Sequence, residues 1–381
     1  MTRTILALDG GGVRGVVSIA FLERVEALLS EGVGRPVRLH EAFDLIGGTS
    51  TGAIIATALA LGMPAAEVRD LYFRLAPKVF RKARFRLPGF APIFDAARLK
   101  EELVAFCGDE TLASPRLLTG LAVVAKRVDT ASAWLLTNNP RARYWDDPPD
   151  GSYIGNRHFR IADTVRASAA APHYFAPEPI SVADGAPPGL FIDGGVTAHN
   201  NPSLALLQIA TIPAYGYAWP TGADELLIIS VGTGFSVRRI EATAAARMRP
   251  IFAAGAALIG MIDEIGRQVL TQMQLLGRTD TPWRLNSEVD DLGGFVLPAE
   301  PLFTFQRYDL RYDAGWLASE LGLSLAARDL ERLPALADPG TMPLAHEIAT
   351  AAAARFVRPE HLRLAVTRLK QRDATGPRPP P

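Results

Sequence analysis

Cysteine is almost absent from this chain of 381 residues, which contains only Cys107. A single cysteine excludes an intramolecular disulfide and a metal centre built on several thiolates. The chain also carries no net charge, because its 40 basic residues balance its 40 acidic residues. No overall electric field therefore attracts nucleic acid or an anionic membrane, and nucleic acid is not an expected partner.

Long hydrophobic runs are lacking as well. The longest run, residues 251–262, has 12 residues, whereas a membrane-spanning helix needs about 20. Near the N-terminus, Ile5–Leu8 is too short to be the hydrophobic region of a signal peptide. These absences predict a cytoplasmic protein that is at most peripheral at membranes.

What the sequence does contain is an alternation of short strands and helices. Ile5–Leu8 and residues 43–46 resemble strands, and each is followed by glycines and then by a periodic apolar helix, 16–29 and 53–61. Two successive strand–glycine–helix units predict an α/β fold whose central, mostly parallel sheet carries helices on both faces. Further strands are predicted at 121–128, 134–137, 190–193, 226–231 and 304–311.

The domain organisation follows from where these patterns change. We expect a catalytic core over residues 1–235 and a mainly helical C-terminal part, packed on that core, over 236–372. Residues 373–381 are rich in proline, which favours neither helix nor sheet, and are expected to form a loose tail.

The pentapeptide Gly48-Thr49-Ser50-Thr51-Gly52 matches G-x-S-x-G at the junction of a predicted strand and a predicted helix. Small residues on both sides allow the tight turn that raises a serine hydroxyl above the end of a sheet. The following helix points its first N–H groups at the site, where they favour a developing negative charge. Ser50 is therefore the candidate nucleophile, and Gly48 and Gly52 form the turn around it.

A glycine-rich segment, DGGGVRG at residues 9–15, lies between the first strand and the first helix. Glycines let several backbone N–H groups converge without a Cβ in the way, which is what an oxyanion hole requires. Arg14 is either a charge partner of the oxyanion or a surface arginine at the start of a helix. The candidate residues of this oxyanion loop are Gly10, Gly11, Gly12, Arg14 and Gly15.

The same glycines also fit nucleotide-binding patterns. The spacing Gly10-x-Gly12-x-x-Gly15 matches the dinucleotide fingerprint, although Asp9 would place a carboxylate beside the pyrophosphate. The glycine spacing around Ser50 fits a P-loop, but Ala53 stands where the loop requires lysine, which excludes that class. A nucleotide-binding module remains an alternative, and it predicts nucleotide binding that survives Ser50→Ala.

A carboxylate, Asp193, follows the predicted strand 190–193 and precedes Gly194 and Gly195. A tight turn at the end of a strand can expose this carboxylate to the same crevice as Ser50. Asp-Gly pairs are also common in ordinary turns. The segment by itself leaves both interpretations open.

Taken together, the three segments resemble the patatin-like phospholipase family. The family's D-G-G-G-x-R-G loop, its G-x-S-x-G elbow and its D-G-G/A motif all occur here, in the family's order. The block ASAAAP at 167–172 and the sequence Asn200-Asn201-Pro202 are similar to further parts of the family pattern. The resemblance covers about residues 4–234 and implies a three-layer sandwich.

What the resemblance implies is a lipid acyl hydrolase whose Ser–Asp dyad works without histidine. No cofactor is expected, and no metal is predicted, because the acidic pairs Glu23/Glu26 and Asp263/Glu264 lack metal-ligand spacing with any histidine. Ser50 maps onto the nucleophile and Asp193 onto its base. Because a carboxyl with a pKa near 3.9 is a poor base at neutral pH, burial has to raise the pKa of Asp193. If a histidine takes part, His199 is the first candidate, since it lies six residues after Asp193.

One segment, residues 71–94, combines six basic residues with six aromatic residues and has no acidic residue. Basic groups attract anionic headgroups and aromatic rings settle at membrane interfaces, so we expect transient membrane contact there. The alternative is a solvated loop whose aromatic rings pack into the core. A second alternative concerns regulation: a phospholipase effector of bacterial defence that a cyclic nucleotide activates, with its regulatory site after residue 234.

Overall fold

In the computed structural model, which describes residues 2–81, 92–236, 243 and 246–375, nine strands form one sheet. The strands are β1 (Arg3–Leu8), β2 (Leu45–Thr49), β3 (Gly120–Arg127), β4 (Ser132–Thr137), β5 (Glu178–Ile180), β6 (Gly189–Asp193), β7 (Leu226–Val231), β8 (Arg278–Thr281) and β9 (Thr304–Tyr308). Their order is β5-β6-β3-β2-β1-β7-β9-β8, and β4 also pairs with β3. The strands from β3 to β8 in this order run parallel, whereas β4 and β6 run antiparallel to β3. The predicted mostly parallel sheet is confirmed.

Helices cover both faces of this sheet. They are α1 (Gly15–Val33), α2 (Leu39–Ala42), α3 (Thr51–Ala60), α4 (Ala65–Val79), α5 (Ala96–Cys107), α6 (Ile161–Ser168), α7 (Ser203–Thr211), α8 (Pro250–Leu276), α9 (Ala314–Leu321), α10 (Ala327–Arg332), α11 (Met342–Phe356) and α12 (Arg363–Thr375). Alternate residues of β1 face opposite sides, because Leu6 and Leu8 belong to one apolar core and Ile5 and Ala7 to the other. The predicted three-layer α/β arrangement is therefore confirmed.

The C-terminal part contributes to the same sheet and to the same core. Strands β8 and β9 extend the sheet beyond β7, and helix α11 packs along α1. Residues 373–375 belong to α12, while 376–381 lie outside the described residues. Within the described ranges, no helix combines the length and the apolarity that a membrane span requires.

The basic-aromatic segment 71–94 begins inside helix α4. The side chains of Tyr72 and Phe94 are each only 2% exposed, and Phe80 packs edge-on against Phe94. The predicted membrane contact is therefore wrong for Tyr72 and Phe94, because their rings fill the core. Residues 82–91 of the segment lie outside the described residues.

Candidate active site

The sheet topology places the ends of β2 and β6 against each other. Both strands pair with β3, but β2 runs parallel to it and β6 antiparallel. Thr49 at the end of β2 is opposite Val124, and Asp193 at the end of β6 is opposite Ala125, the next residue of β3. The chain segments that leave these two strands therefore meet above adjacent residues of β3.

The turn after β2 holds Ser50 in a backbone conformation that L-residues rarely adopt, with φ 55° and ψ −121°. The turn is tight, because a Cβ at Gly48 would collide with the backbone of Gly52. A Cβ at Gly52 would in turn collide with the carbonyl group of Leu8 in β1. Glycine is thus required at both places for the helix α3 to start directly behind Ser50.

Ser50 and Asp193 are in direct contact. The Ser50 hydroxyl donates to Asp193 Oδ2 at 2.6 Å, and the Gly195 N–H donates to Asp193 Oδ1 at 2.6 Å. Burial raises the pKa of Asp193 to about 6, against the lowering effects of these two hydrogen bonds and of the charge of Arg166. A carboxylate with such a pKa is ionised at neutral pH and is a better base than an exposed one.

The charged partner of Asp193 is an arginine that the sequence analysis did not single out. Arg166 in α6 is fully buried, its guanidinium lies 5.3 Å from the ring centre of Phe175, and its Nε is 3.9 Å from Glu178. Its Nη2 donates to the carbonyl of Ala176 at 2.9 Å. This buried positive charge helps to keep Asp193 in its ionised form.

The glycine loop lies beside Ser50, since a Cβ built at Gly10 would be 3.3 Å from Ser50 Cβ. The Gly10 N–H is used within the fold and donates to the Asn200 carbonyl at 3.0 Å. Within the part of the chain that the structure describes, the N–H groups of Gly11 and Gly12 have no hydrogen-bond acceptor. Free backbone donors next to a serine are the kind of group that stabilises an oxyanion.

Two side chains hold the glycine loop through the carbonyl of Gly12. Tyr72 and Thr51 both donate to the Gly12 carbonyl, at 2.5 Å and 2.8 Å. The backbone at Gly12 adopts a positive φ of 59°, which favours glycine. The buried hydroxyl of Tyr72 thus supports the glycine loop.

Arg14 also supports the loop. Its Nη1 donates to the Gly234 carbonyl at 3.1 Å and its Nε to the Gly11 carbonyl at 3.4 Å. Gly15 begins α1, and a Cβ there would collide with Thr51 at the start of α3. Both residues fix the glycine loop relative to the Ser50 turn.

A buried ion-pair network connects the glycine loop with the C-terminal part. Arg307 in β9 donates to both carboxylate oxygens of Asp9, at 3.1 Å and 2.7 Å, and to Asp309 at 2.6 Å. Burial alone lowers the pKa of Arg307, but the charges of Asp9 and Asp309 outweigh this effect and the net direction is upward. Asp309 also accepts the N–H of Gly234 at 2.8 Å. No local sequence pattern indicates this network, because Asp9 and Arg307 are 298 positions apart.

The Ala-rich block 167–172 contributes a buried serine at the end of α6. Ser168 Oγ accepts the N–H of Ser50 at 2.8 Å and donates to the Val124 carbonyl at 2.6 Å. Its side chain therefore ties the turn around Ser50 to strand β3, and it uses up the N–H of Ser50.

We predict that Ser168→Ala lowers kcat for ester hydrolysis by about ten-fold or more, because two buried backbone groups lose their partner and the strained turn relaxes. The matched control is Thr119→Val, which removes a buried hydroxyl bonded to the Phe43 carbonyl at the opposite end of β3. Steady-state kinetics and thermal melting of both variants separate the two effects. Equal losses of activity in the two variants would show that Ser168 has only a structural role.

A cavity of about 270 Å³ opens at Ser50 and Asp193. One wall is apolar and comes from α3, α4 and the segment after α6, with Ile54, Leu75, Val79, Phe80 and Phe175. A second part of the lining comes from the C-terminal part and includes Leu270, Trp283 and Arg307. The site is therefore a polar corner with Ser50, Asp193 and the glycine loop at the end of a mainly apolar space.

No histidine lines this cavity within the described residues. The ring of His199 is partly buried, and burial lowers its pKa. His199 contacts the site through its backbone, since its carbonyl accepts a hydrogen bond from the Thr49 hydroxyl at 2.5 Å. The geometry thus brings Ser50 and Asp193 together and leaves His199 outside the cavity.

Comparison with known proteins bears on the same region. A protein-family model described as "Patatin-like phospholipase" matches residues 6–207, more than half of the chain. This match includes the glycine loop, the Ser50 turn and Asp193.

Three curated relatives illustrate the similarity. The cGAMP-activated phospholipase of Escherichia coli strain TW11681 is 29% identical over 54% of this chain and 55% of its own length. The cUMP-AMP-activated phospholipase of Escherichia coli is 33% identical over 60% of this chain and 64% of its own length. The rat calcium-independent phospholipase A2-gamma is 31% identical over 60% of this chain but only 28% of its own length. The aligned region thus spans less than two thirds of each of these relatives.

Proposed function

Because the chain belongs to the patatin-like phospholipase family, we propose that it hydrolyses ester bonds of phospholipids or related lipids through Ser50 and Asp193. The observation that carries the proposal is the 2.6 Å hydrogen bond between the Ser50 hydroxyl and Asp193 at one end of a mainly apolar cavity. A nucleophile in contact with its base is the arrangement that covalent acyl transfer requires.

The reaction begins with Ser50 attacking the ester carbonyl while Asp193 accepts the hydroxyl proton. The carbonyl oxygen becomes an oxyanion, which the free N–H groups of Gly11 and Gly12 stabilise. Collapse of the tetrahedral intermediate expels the alcohol, which takes the proton back from Asp193, and leaves an acyl group on Ser50. Water then attacks this acyl group while Asp193 accepts its proton, and Ser50 takes that proton as it leaves and the fatty acid is released.

The lipid part of the proposal rests on the apolar wall of the cavity. Ile54, Leu75 and Val79 line the space beside Ser50 and provide a surface for an acyl chain. Burial of each methylene group is worth about 0.8 kcal/mol, so longer chains gain affinity until they outgrow the cavity.

The experiment is the release of fatty acid from phosphatidylcholine in mixed micelles, measured by mass spectrometry, beside hydrolysis of p-nitrophenyl esters of increasing chain length. We expect fatty-acid release and a rise of kcat/KM with chain length. Hydrolysis of acetyl esters alone, with no release from phospholipid, would restrict the protein to esterase chemistry on small substrates. No hydrolysis of either substrate would refute the proposed function.

The pH dependence follows from the state of Asp193. Its pKa is raised to about 6 by burial, and only the ionised form accepts the Ser50 proton. We therefore predict that kcat/KM is constant above pH 7 and falls about ten-fold per pH unit on the acid side of that pKa. Since the charge of Arg166 lowers the pKa of Asp193, Arg166→Gln is expected to shift the acid limb to higher pH. An acid limb near pH 4, the ordinary range of an exposed aspartate, would contradict this assignment.

A second candidate function is the same hydrolase under control of a cyclic nucleotide. Two bacterial relatives are described as activated by cGAMP or cUMP-AMP, and the C-terminal part of this chain supplies one wall of the cavity. A ligand bound to the C-terminal part can therefore change the shape of the active-site cavity. Low basal hydrolysis that rises when cyclic GMP–AMP is added would support the candidate, and equal hydrolysis with and without it would count against it.

A further inference from the structure

A second cavity, of about 510 Å³, lies on the other side of the ion-pair network that holds the glycine loop. Arg307, Asp309 and Trp283 line both cavities and so form the wall between them. All of its lining residues lie between Asp280 and His361, beyond the region that the family model matches. The proposed hydrolysis does not use this space.

Aromatic rings form one side of the second cavity. Trp316 of α9 and Phe356 of α11 pack with ring centres 5.7 Å apart, and both side chains are only partly buried. Trp283, on the shared wall, has the Arg311 guanidinium 5.0 Å from its ring centre. Partly exposed aromatic residues in a concave site suit a planar ligand group, because nucleic-acid bases stack on aromatic rings.

Arginine side chains also line the second cavity, among them Arg311 and Arg358. Arg311 donates through Nη2 to the Arg284 carbonyl at 3.4 Å, and within the described residues it forms no ion pair with a carboxylate. Arg358 is exposed, and its Nη1 lies 4.0 Å from the carboxylate of Glu360. Both arginines therefore have donors available for an anionic ligand group.

The carboxylates of the second cavity are held by donors of the protein. Asp280 accepts the side-chain amide of Gln306 at 2.9 Å, and Asp291 accepts the N–H of Gly293 at 2.9 Å. Asp309 is paired with Arg307. These three carboxylates disfavour a ligand that is anionic throughout, and favour one whose charge is confined to the side that faces Arg311 and Arg358.

We infer that the second cavity binds a nucleotide, with the base against Trp316 and Phe356 and the phosphate at Arg358 and Arg311. A nucleotide is the ligand class that joins a planar ring to a localised anionic group. The cavity volume lies in the usual range for small-molecule sites, about 300–1,000 Å³. This inference deepens the second candidate function and rests on it for its regulatory meaning.

Residues in the wall between the cavities connect a ligand in the second cavity with the glycine loop of the active site. Arg307 holds Asp9, which directly precedes the glycine loop, and Asp309 holds the N–H of Gly234, whose carbonyl accepts Arg14. The Nε of Arg307 is buried and has no acceptor within the described residues. A ligand that shifts Arg307 or Asp309 from the second cavity changes their contacts with Asp9 and Gly234, and the position of the Gly11 and Gly12 donors changes with them.

The test is isothermal titration calorimetry of the full chain with four probes: 5′-AMP, cyclic GMP–AMP, adenosine and inorganic phosphate. We expect at least one of the two nucleotides to bind, and adenosine and phosphate to bind about ten-fold more weakly or not at all. Arg358→Ala and Trp316→Ala are each expected to weaken nucleotide binding about ten-fold, since each removes one strong contact. Arg363→Ala, an exposed arginine outside the cavity, is the matched control and should bind as the wild type does.

Three results would overturn the inference. The first is failure of both nucleotides to bind at about millimolar concentration, at which only binding weaker than about 4 kcal/mol escapes detection. The second is equal affinity for phosphate and nucleotide. The third is wild-type affinity in both cavity variants. Because Arg358 is exposed, its variant is expected to fold even if Trp316→Ala does not.

Hydrolysis measured in parallel separates this inference from the proposed function. Nucleotide that binds at this cavity should change the turnover of the wild type, and the same change in Arg358→Ala should need about ten-fold more nucleotide. Binding without any ester hydrolysis would refute the proposed hydrolase and leave the nucleotide site intact. Hydrolysis without nucleotide binding would refute the site alone.

Discussion

Ser50→Ala is expected to lower kcat for ester hydrolysis by at least about 10⁴-fold, because no acyl-enzyme forms without the hydroxyl nucleophile. The substitution removes one oxygen atom, which donates a hydrogen bond to Asp193. The fold should persist, since the turn depends on Gly48 and Gly52 and not on this hydroxyl. Initial rates of p-nitrophenyl ester hydrolysis and thermal melting measure the two properties separately.

The matched control for this variant is Ser50→Gly. Residue 50 has a φ of 55°, a conformation that costs an L-residue roughly 1–2 kcal/mol and costs glycine almost nothing. Ser50→Gly should therefore be as inactive as Ser50→Ala but more stable, with a free energy of unfolding higher by about 1 kcal/mol. Activity above about 1% of wild type in either variant would show that another residue is the nucleophile.

Asp193→Asn is expected to lower kcat by about 10³–10⁴-fold, because the amide has the shape of the carboxylate but accepts no proton. The N–H of Gly195 still finds an acceptor in the amide oxygen, so the turn after β6 is retained. Removal of a buried carboxylate also removes its desolvation cost, and thermal stability should not fall much. Steady-state kinetics over a pH series is the measurement, and the acid limb with a pKa near 6 should disappear in the variant.

Two control variants accompany Asp193→Asn. Asp163→Asn changes a carboxylate to an amide in the same region, at a residue that pairs with Lys100 and does not line the cavity. His199→Gln tests whether histidine acts as the base. Both controls should keep near-wild-type turnover, and a loss in His199→Gln comparable with that in Asp193→Asn would mean that the base is wrongly assigned.

The parts of the site that the sequence predicts are those encoded by short local patterns. Gly48 and Gly52 around Ser50, and Gly10 to Gly12 after β1, are each next to a strand whose apolar residues are recognisable. Since β1 and β2 are parallel neighbours, their carboxyl ends lie at the same edge of the sheet, and the loop and the turn meet there. Local pattern and general topology are therefore enough to bring these two segments together.

The approach of Asp193 required information that the local pattern does not contain. β6 runs antiparallel to β3 and pairs with the same side of β3 as β2 does, so that the ends of β6 and β2 meet there. An apolar run such as residues 190–193 has the same appearance in either direction. Only the three-dimensional pairing places Asp193 within hydrogen-bond distance of Ser50.

The contribution of the C-terminal part was also hidden in the sequence. Arg307 and Asp309 stand near the end of a predicted strand, and nothing in their neighbourhood distinguishes a buried arginine from an exposed one. Their partner, Asp9, lies almost 300 residues away. Long-range ion pairs of this kind leave no spacing pattern in a single sequence.

The basic-aromatic segment shows how composition can mislead. The buried residues of α4 recur at three- and four-residue intervals and form one apolar stripe, which consists of Ala65, Val68, Tyr72, Leu75, Ala76 and Val79. The basic residues lie between them on the solvent side. Helical periodicity, rather than the count of basic and aromatic residues, would have predicted that Tyr72 packs inward.

The measurement that tests the central claim most directly is covalent labelling with a fluorophosphonate, followed by intact-mass analysis and peptide mapping. A fluorophosphonate reacts with an activated serine hydroxyl, and activation here depends on the contact between Ser50 and Asp193. We predict one adduct per wild-type chain, located on Ser50, no adduct on Ser50→Ala, and much slower labelling of Asp193→Asn. Labelling of both wild type and Ser50→Ala, or of neither, would contradict the assignment of Ser50 as the nucleophile.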